Sequence, residues 1–127
     1  MGAGRGLSRD RQKDRWKHST RCSQGMCVEA LIIGAQAALR DSKQNELGAL
    51  QPIIELSTAR FLVFQDELLG LAPLGSNGEI AVDELDDGWV AFRSLSTGVE
   101  LRYDADELSA FIDGVRAGEF RPALASA

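Results

Sequence analysis

Short runs of this chain alternate apolar and polar residues, and two longer runs carry the three-and-four spacing of a helix. The clearest succession of both lies between Trp89 and Phe120. Val99, Leu101 and Tyr103 alternate with Glu100 and Arg102, which predicts a strand with one buried face. Val90 and Phe92, with Trp89 and Ala91 on the opposite face, offer its neighbour. Asp104 then stands as an N-cap, with Glu107 three residues on to complete a capping box. Leu108, Phe111, Ile112 and Val115 fall at helical spacing as one apolar stripe, and Gly118 supplies a helix stop.

The first half repeats the order. Met26–Leu31 alternates as a strand that Ile32 and Ile33 prolong, and Ala37–Arg40 gives a second. Asp41–Asn45 reads as a polar loop, and Pro52–Leu56 as a third strand. Ser57 caps a helix marked by Phe61, Phe64 and Leu68, which Gly70 closes. Ile80–Leu85 begins the second succession, with Asp86-Asp87-Gly88 as a hairpin signal before Trp89. Leu56-Ser57 matches Tyr103-Asp104, and Phe61 and Phe64 match Leu108 and Phe111, at an offset of 47 residues. Arg40 matches Arg93 at an offset of 53, so the first copy has the longer loop.

The expected fold is therefore α+β: two β-β-β-α units, each a small antiparallel sheet followed by one amphipathic helix, packed as one compact domain. The expected boundaries are a disordered basic arm over 1–15, a first unit over 16–70, a linker over 71–78, a second unit over 79–120 and a frayed tail over 121–127. Each unit is too small to hold a substantial core alone.

Charge changes this picture in one respect. The net charge of −5 hides an asymmetry. Residues 1–21 hold seven of the fourteen Lys and Arg against only Asp10 and Asp14, while the remainder has seven basic and seventeen acidic residues. A basic arm thus precedes an acidic body. No apolar run approaches the roughly 20 residues of a membrane span, and no secretory h-region is visible. Two cysteines do not make a disulfide framework, so the expectation is a soluble protein of the reducing cytoplasm with both as thiols.

Candidate chemistry is sparse. His18, Cys22 and Cys27 give three soft ligands where structural zinc takes four, so no metal is expected. The sole histidine and the cysteines do not make a convincing nucleophile pair. Asp83, Glu84, Asp86 and Asp87 lack calcium-loop spacing and read as a solvated turn. Gly2, Gly4 and Gly6 follow no strand, so they do not make a dinucleotide fingerprint. Glu29 reads as a paired carboxylate, and Trp16 and Trp89 as core or interface anchors. The helix over 104–117 is acidic, so the folded body is not expected to bind nucleic acid directly. No enzyme, cofactor or catalytic residue is expected.

Trp16-Lys17-His18-Ser19, Cys27-Val28-Glu29, Arg40-Asp41-Ser42-Lys43 and the closing Gly114–Phe120 occur in that order. In this the chain resembles the actinobacterial domain of unknown function 397 family, the BldB-like regulatory proteins. It departs from a single-unit member: its second copy has Ala81-Val82-Asp83 and Arg93-Ser94-Leu95 where the first has the Cys-Val-Glu and Arg-Asp-Ser-Lys motifs. The resemblance implies a non-enzymatic regulator of development or antibiotic production, partnered with a helix-turn-helix protein of the Xre type. Its alternative is the toxin of a toxin–antitoxin-like pair that the same regulator neutralises. The expected partner patch is Arg40, Asp41, Ser42 and Lys43, with self-association as a further interaction.

Overall fold

A computed structural model describes residues 16–22 and 26–122. The basic arm over 1–15 and the last five residues of the tail lie outside them. Two three-stranded antiparallel sheets are each followed by a helix. The first sheet runs β1 (Val28–Ile33), β2 (Gln36–Asp41), β3 (Ile53–Ser57), followed by α1 (Thr58–Leu68). The second runs β4 (Ile80–Glu84), β5 (Val90–Ser94), β6 (Glu100–Tyr103), followed by α2 (Ala105–Arg116).

Local signals place the element ends. Ser57 accepts the Arg60 amide at 3.1 Å and starts α1. Asp104 accepts the Glu107 amide at 2.8 Å while Glu107 Oε1 accepts the Asp104 amide at 2.8 Å, the reciprocal box expected at α2. The stretch expected as a polar loop after β2 instead coils into 3₁₀ turns over Ser42–Leu50, broken at Gly48. Asp41 nucleates them by accepting the Lys43 amide at 2.9 Å. The hairpin after β4 is a short 3₁₀ turn in which Asp87 and Gly88 both take positive φ, 60° and 81°.

Strand register confirms the repeat and corrects one part of its alignment. Arg40 faces Ile53 and Arg93 faces Glu100, and these partners are themselves equivalent at the offset of 47. In the outer strands, however, Glu29 faces Arg40 and Ala81 faces Arg93. The second-unit counterpart of Cys27-Val28-Glu29 is therefore Glu79-Ile80-Ala81, two residues earlier than the sequence match. A shift of two keeps each side chain on its face, so alternation alone does not detect it.

One core serves both units. Phe64 of α1 meets Phe92 of β5 edge-to-face, ring centroids 5.1 Å apart, and Phe92 in turn meets Tyr103 at 5.1 Å. Phe111 and Phe120 pack with tilted rings, centroids 4.9 Å apart, in the same cluster. Polar ties follow the same path: Gln65 donates to the Phe120 carbonyl at 2.9 Å, and the Tyr103 hydroxyl to the Arg40 carbonyl at 3.0 Å. The segment expected as a linker is fixed by the buried Glu67 carboxylate, which accepts the Gly75 and Asn77 amides at 2.9 and 2.6 Å.

The buried stripe of α2 also departs from expectation. Leu108 and Ile112 are half-buried, while Glu107 and Gly114 join Phe111 and Val115 inside. Gly114 is there because Ser19 and Phe120 lie against it: a Cβ would meet the Ser19 Cβ and a Phe120 ring carbon at 2.8 Å.

Candidate functional site

The Arg40–Lys43 patch sits where the first sheet meets the second unit, and its polar groups are engaged internally. Arg40 Nε donates to Glu29 Oε1 at 2.7 Å, directly across from it in register. Asp41 is buried and caps the 3₁₀ turn. The Ser42 hydroxyl accepts the Cys27 amide at 2.7 Å. Lys43 reaches into the second unit, where it pairs with Glu107 and donates to the Arg102 carbonyl at 3.3 Å. The same ammonium lies 5.1 Å from the Tyr103 ring centroid and 5.9 Å from that of Trp89.

The two sheets present unlike outer faces. On the second, Arg93 pairs with Asp83 at 2.8 Å and Arg102 with Glu100 at 3.0 Å, a charged ladder over the buried Ala91. The Arg93 guanidinium, hydrogen-bonded to Asp83, holds that carboxyl below its ordinary range, and its own pKa is raised in return. On the first sheet the corresponding positions are Leu31, Ile33, Ala38 and Ile53, with only Glu29–Arg40 and Glu55 as charge. They line a groove of about 250 Å³ together with Trp16.

Trp16 reaches that groove by strand alternation. Lys17 bridges Ala30 at the open edge of β1, its amide and carbonyl both bonded to Ala30 at 2.8 Å. Ala30 faces the core, so Lys17 shares that side and Trp16 turns to the outer face. There the Arg40 guanidinium stacks over its ring, 4.1 Å from the centroid. Leu31 and Ala38 are only 4% and 8% exposed although they point away from the core. Trp16 lines the same groove as both of them.

The lead-in carrying Trp16 is fastened at its other end too. Thr20 donates its amide and hydroxyl to the two oxygens of Glu119, at 2.9 and 2.6 Å, which holds the Glu119 carboxyl below the ordinary glutamate value. Cys22 and Cys27 are joined in a disulfide. This corrects the expectation of two thiols: the turn after Ser19 returns Cys22 to the start of β1. His18 instead places Nδ1 3.0 Å from the Ser19 carbonyl oxygen. Among the described residues no His, Cys, Asp or Glu cluster has the arrangement of a metal site, and no helix is long and apolar enough to cross a membrane.

Sequence reasoning gave Trp16 and Arg40 separately and missed the face they share. The alternation of Leu31 and Ile33 with Ala30 and Ile32 was the available signal, because a strand apolar on both sides needs cover on both. No protein-family model matches the chain, and no curated protein or solved structure matches it either.

Proposed function

We propose that this chain is a non-enzymatic regulatory protein that binds a helix-turn-helix transcription regulator of the Xre type, in the control of development or secondary metabolism. The outer face of the first sheet is the contact surface in this reading, with Trp16, Ile33, Arg40 and Ile53 at its centre. The observation that carries it is the contrast between the two sheets: one outer face is neutralised by its own ion pairs, the other is apolar beside a single tryptophan. A tryptophan, an arginine and aliphatic side chains around a shallow groove have the composition of interface hot spots.

Charge favours a basic partner. The described residues carry nine Lys and Arg against seventeen Asp and Glu, and a DNA-binding regulator presents the opposite sign. Such complementarity speeds encounter and rejects acidic competitors more than it adds affinity. The resemblance to the BldB-like family points to the same partner class.

The test is capture of the tagged protein from the cells that make it, alongside Ile53→Asp, which puts a charge in the groove but leaves the core face of β3 unchanged. The regulator is expected with the parent protein and reduced at least about tenfold with Ile53→Asp, a loss of about 1.4 kcal/mol or more of binding, at unchanged circular dichroism. Equal recovery with Ile53→Asp, or recovery of only further copies of the chain, contradicts the reading. Growth arrest on expression without the regulator would identify the toxin alternative instead.

A further inference from the structure

We infer that the Cys22–Cys27 disulfide is a redox-modification site that controls access to the outer face of the first sheet, its reduction releasing Trp16 from the groove. The inference rests on the proposed use of that face for binding.

The lead-in over 16–22 is held by few bonds. Two backbone hydrogen bonds tie Lys17 to the β1 edge, Thr20 clasps Glu119, and Ser19 is buried against Gly114. The disulfide is the one covalent cross-link among them, and it pins the segment's far end to the first residue before β1. It fixes Cys22 against the residue just before β1, and so favours the closed arrangement. Without it, opening takes the loss of the Lys17 bridge, the Arg40–Trp16 stack, the Thr20–Glu119 clasp and the Ser19 contact with Gly114, a local opening that costs less than global unfolding.

The two sulfurs differ in access. Cys27 is 3% exposed, whereas Cys22 is half-buried and lines an open groove beside α2. A dithiol reductant of the thioredoxin class therefore attacks Cys22 Sγ. The S–S bond breaks, Cys27 leaves as a thiolate that takes up a proton, and Cys22 is held in a mixed disulfide. The reductant's second thiol then displaces Cys22, leaving two protein thiols and an oxidised reductant, a transfer of two electrons and two protons. In a reducing cytoplasm a disulfide is more often a sensor than a permanent staple. There, the oxidised protein is the shielded form and the reduced protein the binding form.

Released, Trp16 leaves Leu31, Ile33, Ala38 and Ile53 as a continuous apolar surface. Recovery of the closed form needs an oxidant, such as a low-molecular-weight disulfide, to take the electrons back.

The test is amide hydrogen exchange and binding of the dye anilinonaphthalene sulfonate, measured on the whole protein before and after reduction with dithiothreitol. Thiol formation is verified by alkylation and mass. The Ala30 amide is the reporter, because its hydrogen bond goes to the Lys17 carbonyl. It is expected to exchange at least about tenfold faster on reduction, with dye fluorescence rising and the β2 amides unchanged. Oxidised Trp16→Ala, which removes the indole but keeps the disulfide, is expected to bind the dye without reduction. An unchanged Ala30 rate in fully reduced protein overturns the inference, as does a faster rate with no rise in dye binding. These readouts need no partner. A reduced protein that opens as expected but captures no regulator leaves the switch standing and removes the binding reading.

Discussion

Lys43 illustrates how far a single side chain acts beyond its neighbours. It emerges from the first 3₁₀ turn, crosses to the second unit and meets Glu107, whose side chain is 4% exposed. The sequence made the Asp104–Glu107 capping box legible, because a cap is written within four residues. It did not make legible that the second Glu107 oxygen faces a lysine 64 residues away. Such a carboxylate loses much of its hydration on folding, and removing its cation leaves that loss uncompensated. Lys43→Met keeps the aliphatic stem and removes the charge. It is expected to destabilise the fold by about 2–4 kcal/mol, the lower part of the range reflecting Lys43's partial exposure. A fall of this size in the urea midpoint at unchanged slope verifies it, and a change below about 0.5 kcal/mol would show the pair to be a surface contact.

At the scale of elements, the strands and both helices were readable because each has one face against the core and a local start or stop. The lead-in was less so. Trp16-Lys17-His18-Ser19 has no periodicity and reads as turn-rich, yet it bridges β1 and fills the space above Gly114. Its fastening to the turn after α2 is pH-dependent. Hydrogen bonds from the Thr20 hydroxyl and amide, larger in effect than the opposing burial, depress the Glu119 carboxyl in the folded protein. A depressed carboxyl contributes its stabilisation above the unfolded value near 4.5 and loses it as pH falls through the folded value. The Thr20 amide resonance is therefore expected to titrate with a midpoint below 4.5 and to lose that titration in Glu119→Gln. A midpoint at or above 4.5 would mean that the clasp does not form in solution. Because Thr20 and the disulfide hold the same segment, acid should loosen the lead-in further in reduced protein than in oxidised protein.

The whole molecule is two repeats around one aromatic cluster, and the function proposed for it rests on their differences. Duplication of the β-β-β-α order could be read from the offset of cap and helix residues. The mutual placement of the units could not, since it depends on Phe64 of the first meeting Phe92 of the second and on Lys43 crossing between them. Nor could the unlike outer faces, because Asp83 and Arg93 pair diagonally while Glu29 and Arg40 pair directly across. The second unit covers its outer surface with ion pairs, and the first has a tryptophan beside an apolar groove. The most direct measurement is a hydrogen-exchange footprint of the reduced protein bound to the captured regulator. We predict slowed exchange across β1, β2 and β3 with little change in β4, β5 and β6. Protection centred on the second sheet, or spread evenly over both, would contradict the assignment of the first sheet's outer face as the binding surface.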